Sequence, residues 1–312
     1  MANRGDVIAR EAIEQLSAVA DADVLAEERL SHHTTLRIGG PCAAHVTCHT
    51  YTALVDALGI MTGEGIPWVV LGKGSNLLVA DEGFSGCVVA LGREFSRISD
   101  THDGTHVTVG AGALLSRVVS EAQKRGLSGL ERCVGIPGTL GGALSMNAGS
   151  ANEWIGDVVH EVVSLHPGEG MRRRSGEEIS WGYRSSSLPG GEIVLEATLK
   201  LKEGDPDGIA LNMERRLQRR RKSQPMGLPS CGSVFRNPKG RHAAALVEEC
   251  GLKGAAVGGA QISDIHANFI VNKGTARAAD VVELMRRMYE GVRDQAGIEL
   301  EPEVKFLGFS GR

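Results

Sequence analysis

No stretch of this 312-residue sequence stays apolar long enough to span a membrane. Met1–Ala20 mixes charged and apolar residues at helical spacing without a continuous apolar core, so it does not read as a signal peptide. The six cysteines (Cys42, Cys48, Cys87, Cys133, Cys231, Cys250) are scattered and form no CxxC pair, which points to reduced thiols in a reducing, cytoplasmic compartment. No internal repeat or low-complexity tract is visible. Neither sign of charge dominates, and a net charge of −4 argues against a general nucleic-acid binder. Proline is scarce, at ten residues against 42 glycines, a balance that favours tight turns and close backbone approaches of the kind ligand-cradling loops need. With 42% hydrophobic and 23% charged residues, the chain can bury a sizeable core, divided between two or three domains.

Periodicity places the elements. Residues 6–20 read as an amphipathic helix. Ala43–His49, Thr52–Gly65 and Trp68–Leu71 follow as strand, helix and short buried strand, a βαβ-like unit. Cys87–Leu91 and His106–Gly110 are strand candidates, and Leu114–Arg125 is a helix that buries Leu115, Val118, Val119 and Ala122 and stops at Gly126. Val158–Leu165 and Ile193–Leu201 read as strands, the second alternating Ile193, Leu195, Ala197, Leu199 and Leu201 on one face. Composition shifts at the charged helix Asp205–Lys222, which sets a domain boundary near 204. A helix over Ala276–Gln295 and a last strand, Glu303–Leu307, close the chain.

Two glycine-rich stretches carry the first chemical signal. Gly72-Lys73-Gly74-Ser75-Asn76 directly follows a strand, where backbone N–H groups can converge on a phosphate. It runs into the extended Leu77-Leu78-Val79 rather than into a helix, and it lacks the Walker A spacing; both facts count against the nucleotide folds that seat phosphate on a helix N-terminus. An ordinary tight turn would use the same residues. The second stretch runs from Gly135 to Gly149 and suits a backbone lying flat against a large planar or phosphorylated ligand; its Ile136, Leu140, Leu144 and Met146 are too apolar for a flexible linker. Cys42, His45, Cys48 and His49 suggest a metal cluster, but in an extended segment the cysteines and histidines fall on opposite faces. Cys231 lacks any feature that would lower its pKa and reads as small and buried. The basic run Arg215–Lys222 reads chiefly as a solvated helix face, with its C-terminal end available to a diphosphate.

Together with Gly182-Tyr183-Arg184-Ser185-Ser186, Gly232–Pro238 and Glu301-Pro302-Glu303-Val304, these stretches resemble the UDP-N-acetylenolpyruvoylglucosamine reductase family, in the family's order from about Leu30 to Gly308. The resemblance implies an α+β fold. Residues 1–90 and 91–204 would form a two-part FAD-binding unit of the vanillyl-alcohol-oxidase type, and 205–312 a C-terminal α+β domain for the UDP-sugar. It also implies non-covalent FAD held by Gly72, Lys73, Gly74, Ser75, Asn76, Leu77, Ile136, Pro137, Gly138, Gly141, Gly142, Ala143 and Asn147. NADPH would be the hydride source and UDP-N-acetylglucosamine enolpyruvate the substrate, in cell-wall precursor synthesis. Neither nucleic acid nor membrane enters as a partner, and a monomer or weak homo-oligomer is expected.

The implied reaction is a conjugate reduction, and the matched residues suit its demands. Arg184 would hold the substrate carboxylate and stabilise the enolate. Glu303 would sit near the same charge and should be protonated when the enolate forms. Ser233 would protonate the α-carbon. Tyr183, Lys222 and Asn237 would contact substrate. Only Leu188–Glu192 separates the Tyr-Arg-Ser motif from the next strand, so the chain looks like the branch that lacks a substrate-covering tyrosine loop. An FAD-dependent oxidase of a sugar or hydroxy acid would share the fold, and a nucleic-acid binder would rely on the 215–222 run alone.

Overall fold

A computed structural model describes residues 4–100, 104–150 and 153–309. Its residues group into two compact units. The first comprises 1–26, 43–72 and 86–218, and the second 27–42, 73–85 and 219–312. Among the described residues, no helix is long and apolar enough to cross a membrane.

Two sheets organise the first unit. A four-stranded sheet takes the order Ala22–Ala26, Cys42–Cys48, Phe84–Leu91, Trp68–Val70. The helix Tyr51–Gly63, capped by the Thr50 hydroxyl accepting from the Ala53 N–H at 3.2 Å, buries Leu54, Leu58 and Met61 with Val46 and Val89 of that sheet. A five-stranded sheet takes the order Gly170–Ser175, Val159–His166, Ile193–Lys200, His106–Gly110, Ile98–Asp100, and each of its pairings is antiparallel. The alternating residues of Ile193–Lys200 divide their contacts. Ile193 and Leu195 join the core of the four-stranded sheet, while Ala197 and Leu199 pack with Leu115, Val118 and Val119 of the helix Leu115–Lys124. That helix ends where Gly126 turns at φ +68°.

The second unit builds its core around the helix Ala278–Ala296, whose Val281, Leu284, Met285, Met288 and Val292 are buried. The helix starts on Asp81, whose carboxylate accepts from the Ala278 and Ala279 N–H groups at 2.9 and 3.1 Å. It packs with the sheet ordered Ser230–Ser233, Phe269–Asn272, Ala260–Ile262, Ala256–Val257. A separate parallel pair joins Leu77–Val79 to Lys305–Leu307, so the first glycine loop leads into a strand whose partner lies at the far end of the sequence. Antiparallel pairing dominates, and the architecture is α+β rather than doubly wound.

Candidate active site

The first glycine loop begins where the strand Trp68–Val70 runs parallel to Phe84–Leu91, and the Leu71 N–H donates to the Val89 carbonyl at 2.9 Å. Gly72 and Lys73 are exposed. A Cβ added at Gly72 would lie 2.4 Å from the Thr139 hydroxyl, so only glycine lets the first stretch close on the second. At Gly74, with φ +58°, a Cβ would meet the His33 carbonyl at 2.4 Å. The chain then enters Leu77–Val79, the extended segment expected after Asn76.

The second stretch is not uniformly flat. Leu140–Ser145 forms a short helix in which Leu140, Ala143 and Leu144 are buried. Its glycines are poor helix formers, but the Thr139 side chain caps it by accepting from the Gly142 N–H at 3.4 Å, and burial of the three apolar residues outweighs the propensity. Leu140 and Gly141 donate to the Ala113 and Ala111 carbonyls at 2.9 and 2.8 Å, which anchors this helix beside the five-stranded sheet. Outward from it lie half-buried Ile136 and Gly138, with Pro137 and Gly142 exposed. A rim of small residues and backbone, closed on one side by the Gly72–Thr139 approach, fits a large flat diphosphate-bearing group such as FAD.

Asn147 ends that stretch in an unusual conformation. Its φ is +41°, the residue is 1% exposed, and its carboxamide bonds to backbone: Nδ2 donates to the Gly182 carbonyl and Oδ1 accepts from the Gly156 N–H, each at 3.0 Å. Gly182 belongs to a tight hairpin in which Trp181 pairs with Ser186 and Gly182 with Ser185. Tyr183 and Arg184 form its tip, and Arg184 is held at φ +54° in the left-handed region. The Arg184 guanidinium carbon lies 5.7 Å from the Trp154 ring centroid and 5.4 Å from that of Tyr183, and its Nη1 donates to the Gly149 carbonyl at 3.3 Å. The structure therefore brings Arg184, Tyr183, Asn147 and the second glycine stretch together. Trp154 escaped the reading of the sequence, where no motif marks it.

In the second unit, Ser230–Ser233 pairs with Phe269–Asn272, with Ser233 opposite Phe269. Gly232 turns at φ +78° just before Ser233. The Glu303 N–H donates to the Val234 carbonyl at 2.8 Å, and Arg236 N–H to the Glu301 carbonyl at 2.8 Å, so the strand after Ser233 runs beside the Glu301–Glu303 segment. Glu303 is 8% exposed, and its backbone carbonyl accepts from the Asn76 side-chain amide at 3.0 Å. Ser233, Glu303 and Asn76 are thus gathered in one place. Asn237 uses its Oδ1 to accept from the Ala243 N–H at 3.0 Å, at the start of the helix Ala243–Glu249. Lys222 is exposed in the last turn of the helix Pro206–Ser223. Cys231 is buried, and desolvation pushes its thiol up to about 12, so it is no nucleophile at neutral pH.

These features define a class: an α+β oxidoreductase built around a flavin-binding unit. Residues 42–168 match a family described as an FAD binding domain, and residues 224–307 match the C-terminal domain of UDP-N-acetylenolpyruvoylglucosamine reductase. Relatives bearing that enzyme's name include one from Syntrophotalea carbinolica, 40% identical over 94% of this chain and 97% of its own length, and one from Heliobacterium modesticaldum, 44% identical over 91% of each chain. The crystal structure of UDP-N-acetylenolpyruvylglucosamine reductase from Thermus caldophilus superposes with a TM-score of 0.78 at 40% identity, covering 92% of this chain and 98% of that one. The chain belongs to the UDP-N-acetylenolpyruvoylglucosamine reductase family.

Proposed function

We propose that this protein reduces the enolpyruvyl ether of UDP-N-acetylglucosamine enolpyruvate to the lactyl ether of UDP-N-acetylmuramate, using NADPH, in peptidoglycan precursor synthesis. Family membership along nearly the whole chain supports this reading. The observation that carries it is the closing of the two glycine stretches at Gly72 and Thr139, joined through Asn147 to the hairpin that holds Arg184. The hydride-transfer chemistry that links NADPH to the β-carbon of the enol ether would be supplied by bound FAD. Its holders would be the backbone at Gly72 with Lys73–Leu77 continuing that loop, and Ile136, Pro137, Gly138, Gly141, Gly142 and Ala143. Asn147 supports them as the brace described above. The four-stranded and five-stranded sheets are taken as the two parts of the FAD-binding unit, parted near residue 91. The UDP-sugar domain is taken to begin after residue 204.

Each polar residue has a task in the conjugate reduction. As hydride arrives at the β-carbon, negative charge builds on the α-carbon and its carboxylate. Arg184 is a permanent forked cation held in a fixed backbone conformation, suited to pair with that carboxylate. Ser233 donates its hydroxyl proton to the α-carbon; a serine is a weak acid, but an enolate is basic enough to take it. Glu303, nearly buried, serves in its protonated form, since a carboxylate would oppose the enolate. Exposed Tyr183 and Lys222 are substrate-side contacts together with Asn237, whose Oδ1 also holds the turn beyond Ser233. Both substrates are charged nucleotides found inside cells, which supports a cytoplasmic setting, and a monomer or weak homo-oligomer is the proposed state. Mass spectrometry tests the reaction: with NADPH and substrate in the absence of oxygen, the product is heavier than the substrate by one hydride and one proton. Consumption of NADPH without that product would overturn the assignment.

A further inference from the structure

We infer that Trp154 is a positioning residue for the reduction, setting the direction of the Arg184 guanidinium through the face of its indole. The inference rests on the role given to Arg184 above. Arg184 stands at the tip of a two-residue turn, in a backbone conformation that non-glycine residues rarely adopt. A long, flexible side chain on such a tip would sample many rotamers and lose them all on meeting a carboxylate. Two rings restrict it in advance. The guanidinium carbon is 5.7 Å from the Trp154 centroid and 5.4 Å from that of Tyr183, both within the range where a cation is drawn to the negative face of a ring. The two rings also meet each other edge to face, with centroids 5.8 Å apart at 74°, which fixes the angle between them.

Trp154 is the better anchor of the two. Tyr183 shares the turn with Arg184 and is 39% exposed. Trp154 sits on a separate strand whose backbone is tied at several points. It pairs with Gly149, whose carbonyl also accepts from Arg184. Its own N–H donates to Asp157 Oδ2 at 2.9 Å, and its carbonyl accepts from Arg132 Nη1 at 3.2 Å. Its neighbour Glu153 is held by Arg216 at 2.7 Å, a pairing that keeps the Glu153 carboxyl below its ordinary range. The backbone is thereby fixed around an indole that faces the cation.

Stopped-flow kinetics of the flavin-loaded enzyme tests the inference, comparing Trp154→Phe with Trp154→Leu. Both fill space, but only phenylalanine keeps the ring face. Reoxidation of the reduced flavin by the enolpyruvyl UDP-sugar should slow by about tenfold in the leucine variant and stay within about threefold of wild type in the phenylalanine variant. Flavin reduction by NADPH in the same samples is the internal reference for folding and cofactor content. In an Arg184→Ala background, the Phe and Leu variants should become equal, because the cation they discriminate is gone. Equal rates for Phe and Leu with Arg184 present, while Arg184→Ala is itself crippled, would overturn the role of Trp154 alone. An Arg184→Ala variant that reoxidises as fast as wild type would instead overturn the reading of Arg184, and the inference with it.

Discussion

The carboxamide of Asn147 donates to the carbonyl of Gly182 at 3.0 Å, binding the end of the second glycine stretch to the hairpin that carries Arg184, 35 residues further along the chain. The same side chain accepts from the Gly156 N–H, so one buried residue satisfies two backbone groups. Asn147→Ala should lower the thermal midpoint of the holoenzyme by several degrees, corresponding to about 2 kcal/mol for one buried and one part-buried group left unpaired. Asn147→Gly should recover only about 1 kcal/mol of this, because it relieves the left-handed φ but restores neither bond. Differential scanning calorimetry at matched flavin content would measure both.

The approach of Gly72 to Thr139 predicts a specific rescue. Gly72→Ala places a methyl 2.4 Å from the Thr139 hydroxyl and 3.3 Å from its methyl, and the loop must shift. FAD affinity should fall by at least about tenfold, since the displaced backbone is what is proposed to hold the cofactor. Removing the obstruction with Thr139→Ala should cost about 1 kcal/mol of helix capping but return much of the affinity to the double variant. Fluorescence titration of the apoproteins with FAD distinguishes the single from the double change.

Acid stability should depend on Glu192, the last residue of the short Leu188–Glu192 link. Its side chain is 1% exposed and meets Arg174 through two bonds of 2.6 and 2.8 Å, with the Ser164 hydroxyl donating at 2.7 Å. The Arg174 bonds, aided by Ser164, hold the carboxyl below its ordinary value of 4.5. A depressed carboxyl contributes stability that is full above the unfolded value and is lost as pH falls through the folded one. Glu192→Gln should therefore melt below wild type at neutral pH, and the gap should narrow as pH drops below 4.5. Thermal midpoints of both proteins across an acid series would test it; a constant gap would contradict the coupling.

For Ser233, the two half-reactions should separate. Ser233→Ala removes the proposed proton donor, so reoxidation of reduced flavin by the enolpyruvyl UDP-sugar should slow by at least about a hundredfold. Reduction by NADPH needs no such proton and should slow far less. Rapid-mixing absorbance of each half-reaction gives the comparison, and equal slowing of both would remove Ser233 from the role.

Periodicity made most of the elements legible. The alternation over Ile193–Leu201 and the apolar face of Leu115–Lys124 appear where they were expected, because each buries one side against a sheet or core. The helix Leu140–Ser145 was not legible, since glycines mask a helix whose stability comes from a cap and three buried side chains. Nor was the parallel pairing of Leu77–Val79 with Lys305–Leu307, which leaves no local trace in either strand. Arg184, Ser233 and Glu303 are marked in the sequence only by the family resemblance, and nothing local marks the residues that support them. Asn76, Asn147 and Asn237 read equally well as ligand contacts, and only the fold displays each carboxamide holding backbone. Trp154 gave no signal at all, because its partner cation lies 30 residues away and is brought to it by a hairpin tip.

The most direct test is the visible spectrum of the purified protein under anaerobic conditions. A flavin band should be present, bleach on addition of NADPH, and return when UDP-N-acetylglucosamine enolpyruvate is added, in step with formation of UDP-N-acetylmuramate. A protein with no flavin band, or a bleached flavin that ignores the enolpyruvyl UDP-sugar and recovers only with oxygen, would contradict the account.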